Sequence, residues 1–122
     1  MKNIKPTEGE LEILNVIWDK GRATVRDVHE VLEAQKQSGY TTTLKLMQIM
    51  FEKGLLEREA SGKSHVYKAT IKREDAQGQM LQRMIDNVFS GSASQLVMQA
   101  LGHHKSTPEE LEAIRNYLKT LK

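Results

Sequence analysis

The residues of this chain best suited to chemistry lie between 40 and 69. Thr42, Lys45, Gln48 and Glu52 recur every three or four positions, so on a helix they form one thin polar stripe. Short hydroxyls, an ammonium and a carboxamide are groups that read nucleic-acid surfaces. Gln bonds adenine, Lys reaches guanine or phosphate, and Thr meets a thymine methyl or a phosphate. Thr41 and Thr42 would stand at the start of that helix, where unpaired backbone N–H groups favour a phosphate. Further along, Lys63 sits in a Ser61-Gly62-Lys63 turn, with Arg58 on the incoming segment and His65 and Lys68 on the outgoing one. Such a basic tip would touch a backbone or a minor groove, although Glu57 and Glu59 oppose a strong phosphate clamp. Any amphipathic helix shows a polar stripe to water, so the flanking elements decide between the two readings.

Other chemistries find little here. No GxSxG, HExxH, P-loop or GxGxxG motif occurs. Ser90-Gly91-Ser92-Ala93-Ser94 reads as a helix-breaking turn rather than a nucleophile loop. Asp86 and the Glu109, Glu110 and Glu112 cluster read as solvated charges or helix N-terminal acids, which suit the macrodipole. His103 and His104 are adjacent, whereas one ion on a helix favours histidines four apart, and His29 and His65 are remote in sequence. They read as a surface loop, and neither a metal nor another cofactor is expected. The absence of cysteine excludes disulfides, iron–sulfur clusters and thiolate metal sites, and it fits a cytoplasmic protein. Trp18 and the methionines at 47, 50, 80, 84 and 98 read first as packing residues.

The elements that would position the stripe are legible from their punctuation. Thr7 and Glu10 have capping-box spacing and open a first helix with Leu11, Leu14, Ile17 and Trp18 on its apolar face, ended by Gly21. Ala23 is placed for a very short strand. Thr24, with Asp27 three residues on, caps a second helix whose apolar face is Val25, Val28, Val31 and Leu32. Gln35–Gly39 reads as a polar turn. The third helix starts near Thr41 and sets Leu44, Leu46, Met47, Ile49, Met50 and Phe51 as its apolar positions. Gly54 is a natural stop, able to take positive φ. Leu55–Ala60 and Ser64–Ala69 then read as a two-stranded hairpin.

After Thr70 the pattern is purely helical. One helix spans about Lys72 to Phe89, with Ala76, Met80, Met84, Ile85 and Val88 on one face. A short helix covers Ser94 to Leu101, and Gly102 to Ser106 is a loop. Thr107 caps a last helix with Pro108 at its first position, where the missing N–H costs nothing. Leu111, Ile114, Leu118 and Leu121 form its stripe. These three amphipathic helices are too thin a basis for a core of their own, so a second copy of the chain is expected to cover them.

Charge adds a little. The 122-residue chain carries a net charge of +2, and residues 1–72 hold 12 Lys/Arg against 10 Asp/Glu while residues 73–122 hold 6 of each. Phosphate contact needs local cations rather than a high total charge. The N-terminus MKNIKPTEGELEIL shows no apolar core of a secretory signal, and no apolar run approaches the ~18 residues of a membrane span. The fold expected is mainly α with a small β-hairpin: a winged helix-turn-helix at 1–71 followed by a helical dimerisation region at 72–122. Thr41, Thr42, Lys45, Gln48 and Lys63 are the expected DNA contacts. Met84, Val88, Leu111, Ile114 and Leu118 are the expected dimer contacts.

At this point the chain resembles the penicillinase-repressor family, the BlaI/MecI/CopY group of bacterial winged-helix transcriptional repressors. TEGELEILNVIWDKGRATVRDV at 7–28 and YTTTLKLMQIMFEKGLLERE at 40–59 carry the resemblance, with a helical tail of matching length. It implies a homodimer that occupies a near-palindromic double-stranded operator and blocks transcription. It also implies that Thr41, Thr42 and Lys45 lie on the recognition helix and Lys63 in the wing. Family members often carry Arg where this chain has Ile49, and Thr is common where it has Lys45, so the contacts are redistributed here. The copper-responsive branch ends in a cysteine-rich motif, which this chain lacks. In the β-lactam branch a membrane sensor-protease system inactivates the repressor by cleavage at an Asn-Phe bond. The corresponding place here is Gln99-Ala100, within SQLVMQAL, which leaves such a partner open. Two rivals are a winged-helix protein–protein module, which predicts no salt-dependent, sequence-selective DNA binding, and a small enzyme, which needs a convergent polar pocket.

Overall fold

A computed structural model describes residues 4–36 and 39–121. Eight elements follow in order: α1 (Glu8–Lys20), α2 (Val25–Gln35), α3 (Tyr40–Glu52), β1 (Leu56–Ser61), β2 (Ser64–Ala69), α4 (Arg73–Asn87), α5 (Ala93–His103) and α6 (Pro108–Thr120). The fold is mainly helical with one antiparallel hairpin. No helix among the described residues is long and apolar enough to cross a membrane. The chain divides into one compact unit up to Met80 and a second from Leu81, so the division falls inside α4.

In the first unit, the starts of α1 and α2 are fixed by reciprocal caps. The Thr7 hydroxyl accepts from the Glu10 N–H at 3.2 Å while the Glu10 carboxylate accepts from the Thr7 N–H at 3.0 Å. Thr24 and Asp27 repeat the arrangement at 3.1 and 3.0 Å. Each box satisfies two of the donors that a helix start leaves unpaired. The core is aliphatic. Ile13, Leu14, Val16 and Ile17 of α1 meet Val25, Val28 and Leu32 of α2 and Met47 and Met50 of α3, with Leu55, Leu56 and Tyr67 closing it from the hairpin side. Ile13 and Val16 belong to this core beside the expected Leu14 and Ile17, because the buried stripe of α1 is wider than one residue per turn. Trp18 is half-buried against the core and donates its indole N–H to the Ile71 carbonyl at 3.0 Å.

Glu10 is the unexpected core member. Only 2% exposed, its second carboxylate oxygen lies 2.8 Å from the Lys53 ammonium, just past the end of α3. The start of α1 and the end of α3 are thereby tied together. The first half of α4 also belongs to this unit. Ala76 is fully buried, Ile4 donates its N–H to the Gln79 carboxamide at 3.0 Å, and Arg73 bonds Asp19 at 2.5 Å.

The second unit has a different character. From Gln77 onward no described residue is buried. α5 starts at a Ser92 cap, and α6 starts at a third capping box, Thr107 with Glu110, with Pro108 in its first turn. Ser90 and Gly91 both take positive φ, 51° and 86°, which ends α4 two residues before the expected Phe89. α5 instead runs on through His103, where the ring bonds Gln99 one turn back at 2.9 Å. Gly102 therefore does not stop it.

Burial acts to raise the pKa of the Glu10 carboxyl, but the Lys53 hydrogen bond, the Thr7 N–H and the Lys53 charge outweigh it and hold it below its ordinary value of 4.5. A depressed carboxylate contributes stability above its unfolded value and loses it as pH falls through the folded value. Glu10→Gln is expected to cost about 1–3 kcal/mol at neutral pH. Denaturant titrations of parent and variant should show that gap closing as pH falls below the ordinary glutamate value; a gap that widened in acid would contradict the assignment.

Candidate nucleic-acid interface

Helix α3 starts one residue before the expected Thr41, with Gly39 as its cap. Gln37 and Ser38 of the expected polar turn lie outside the described residues. At about 100° per residue, α3 sorts into two faces. Thr43, Met47 and Met50 are buried, and Thr41, Thr42, Lys45 and Gln48 are exposed on the opposite side. Thr43 was not expected in the core. Its hydroxyl lies 3.5 Å from the Gly39 carbonyl one turn back, which lets a small polar residue occupy an inward position. Ile49 is half-buried and by helical phase falls between Lys45 and the core, so an apolar side chain borders the polar stripe.

The helix ends in a two-bond stop. The Leu55 N–H donates to the Met50 carbonyl at 2.9 Å and the Gly54 N–H to the Phe51 carbonyl at 3.0 Å, with Gly54 at φ 83°. This Schellman arrangement needs a residue without Cβ strain at Gly54. It turns the chain directly into β1. Thr70 then closes the base of the hairpin, its hydroxyl donating to the Gly54 carbonyl at 2.7 Å.

The hairpin pairs Leu56 with Ala69 through Ser61 with Ser64, leaving Gly62 and Lys63 as a two-residue loop. Gly62 has φ 62° at the first central position, as a type II′ turn requires. Lys63 is therefore at the tip, as expected. The register separates the other charges. Arg58 and His65 share one face with Tyr67, whereas Glu57, Glu59 and Lys68 lie on the other. Glu59 is engaged there by Arg22 at 3.7 Å. The acids that opposed a phosphate clamp thus point away from the Arg58 face. Lys68, which shares their face, is separated from Arg58 and His65. The hairpin is docked by Ala23, whose N–H and C=O exchange bonds with Tyr67 at 3.0 and 2.8 Å. This confirms the very short strand at Ala23.

Thr41, Thr42, Lys45, Gln48 and Lys63 are therefore all exposed, and none has an ion pair or side-chain hydrogen bond among the described residues. Gln48 and Lys63 line one groove together, between α3 and the hairpin; Thr41, Thr42 and Lys45 lie outside its lining. Arg26, in the first turn of α2, lines the same groove. Sequence reasoning passed over it because it stands in a helix that carries no stripe of its own. His103 and His104 do not converge: one bonds Gln99, and the other lies 3.7 Å from Glu110. The Gln99–Ala100 bond lies within α5, with both residues exposed.

Three helices with a hairpin after the third, the third helix seated on the first two, define a winged helix-turn-helix. A mutant MarR of E. coli, solved with operator DNA, has a similar fold, with a TM-score of 0.52 over 93% of this chain and 74% of that one at 15% identity. The penicillinase repressor family model matches residues 6–120, and the chain belongs to that family. The methicillin resistance regulatory protein MecI of Staphylococcus aureus is 25% identical over 96% of this chain and 95% of its own length. The transcriptional regulator BlaI of Mycobacterium tuberculosis is 26% identical over 93% and 83% respectively.

Met47 is fully buried in the seat of α3, so Met47→Ala is expected to cost about 2–5 kcal/mol. Denaturant unfolding checks this; a loss below about 0.5 kcal/mol, the range of surface substitutions, would mean that α3 is held by something else.

Proposed function

We propose that this protein is a sequence-specific transcriptional repressor that acts as a homodimer on a near-palindromic DNA operator. The observation that carries the reading is the outward face of α3. Thr41, Thr42, Lys45 and Gln48 are exposed there without protein partners, on a helix fixed from behind by Thr43, Met47 and Met50. Such a helix fits the major groove, with Lys45 and Gln48 toward base edges and the two threonines near a phosphate at the helix start. Lys63 at the hairpin tip supplies a backbone contact. In functional terms residues 1–71 bind DNA and residues 72–122 dimerise, with the first turns of α4 shared by the packing of the first unit.

Dimerisation is supported by what the tail leaves uncovered. Leu81, Met84, Val88, Val97, Met98, Leu101, Leu111, Tyr117, Leu118 and Leu121 are all exposed. Ten large apolar side chains in so short a stretch are far more than scattered surface residues require, and they suit an obligate partner of the same kind. Met84, Val88, Leu111 and Leu118 are the proposed contacts, with Ile114 half-buried beside them. A dimer turns the second half-site contact into an intramolecular event, so two modest surfaces bind as one. Bound across its operator, the dimer obstructs polymerase; no reaction is involved. Release by a sensor-protease would need the Gln99–Ala100 segment to leave its helix, since it is wound into α5.

Selection of bound sequences from a pool of random duplexes tests the whole reading, and recovery of a motif with two inverted half-sites is the expected result. Enrichment of no motif would sink it. Leu118→Asp should sediment as a monomer and lose on the order of 100-fold in affinity for the selected site. A monomeric variant that bound as tightly as the parent would break the link between tail and operator. Lys45→Ala should weaken binding by about 1–3 kcal/mol with relaxed base preference if it reads a base, or lower the salt slope by about 1 if it holds a phosphate. Unchanged affinity and preference would remove it from the interface.

A further inference from the structure

The groove between α3 and the hairpin carries more positive charge than the α3 stripe alone provides. Arg26 enters from the first turn of α2, Arg58 from β1, and Lys63 and His65 from the hairpin tip and β2. Gln48 and Tyr40 line it from α3, and no carboxylate does. The other arginines and lysines that pair do so elsewhere: Arg22 with Glu59, Lys36 with Glu12, Lys53 with Glu10, Arg73 with Asp19 and Arg115 with Glu112. Arg26, Arg58 and Lys63 have no acidic partner among the described residues. Three unpaired cations around one concavity repel one another, and an anionic occupant relieves that cost.

Arg58 is also held in place. Its guanidinium lies 4.0 Å from the Phe51 ring centroid, a cation–π contact at the last turn of α3. Tyr67 directs both its N–H and its C=O to Ala23, so Arg58 and Tyr67 form a non-hydrogen-bonded pair, the kind in which cross-strand side chains approach most closely. A guanidinium fixed between a ring and the hairpin presents a planar fork, which suits phosphate oxygens better than a mobile ammonium.

We infer that this groove holds the sugar-phosphate backbone of one DNA strand, with Arg26 and Arg58 as its phosphate-positioning residues. The inference rests on the DNA-binding reading above and deepens it. These two residues set where the strand lies; the α3 stripe then meets the base edges at a fixed depth. Lys63 at the tip is an outer contact on the same strand. Lys68, on the opposite face of the hairpin, has no part in it.

The test uses the full chain and a labelled random-sequence duplex, so that only backbone contacts are read, with affinity followed against salt. Arg26→Gln and Arg58→Gln should each lower the slope of log affinity on log salt by about 0.9. Arg58→Lys should keep the parent slope while weakening binding, because charge is retained and the ring-held fork is lost. Lys68→Gln, which removes the same charge from the far face, should leave the slope unchanged. Sedimentation confirms that each variant remains in the parent's oligomeric state. If the parent binds no duplex, the DNA-binding reading falls and this inference with it. If the parent binds with a steep slope and both arginine variants keep that slope, the inference alone is wrong. It is equally wrong if Lys68→Gln lowers the slope as much as they do, since the effect would then be a diffuse field.

Discussion

The structure of the first unit depends on holding α3 from one side, with Leu44, Leu46 and Phe51 half-buried around the buried residues. Thr43, Met47 and Met50 are the buried side chains of a helix that must leave its opposite side free. A wider buried stripe would be more stable and would hide the residues proposed to meet DNA. The compensation comes from the ends. The Glu10–Lys53 pair ties the end of α3 to the start of α1, and the Gly54 stop with Thr70 ties it to the hairpin. Precision of placement is thus supplied by polar contacts at the termini, where they do not compete for the exposed face.

Much of this was legible in the residues. The three capping boxes, the Gly54 stop, the hairpin and the polar stripe of α3 follow from local rules of spacing and backbone freedom, although Ser61, expected in the turn, pairs with Ser64 and leaves a two-residue loop. What was not legible depends on partners distant in sequence. Nothing near Glu10 announces that it is buried, because its partner stands at 53. Thr43 looks like one of three equivalent threonines until helical phase puts it inward. The hairpin charges formed one mixed set in sequence, and the register then divided them into an Arg58 face and a Glu57 and Glu59 face. Arg26 was invisible for the same reason, since its neighbours in the groove come from α3 and the hairpin.

The two units illustrate different solutions to the same shortage of residues. The first closes a small aliphatic core by using three helices, a hairpin and even the start of α4. The second has capped, well-formed helices and nothing buried among its described residues. Local rules therefore suffice to wind α5 and α6, while their apolar side chains remain exposed among the described residues.

The bridge between Ala23 and Tyr67 has one more consequence. It covers β2 on the side away from β1, so β1 is the open edge of the small sheet. An exposed edge is a template for pairing with another chain, and charged side chains along it discourage such growth. Leu56 is followed on that edge by Glu57, Arg58 and Glu59. The two glutamates that oppose a phosphate clamp in sequence thus stand on the open edge, where their charge disfavours pairing of one wing with another.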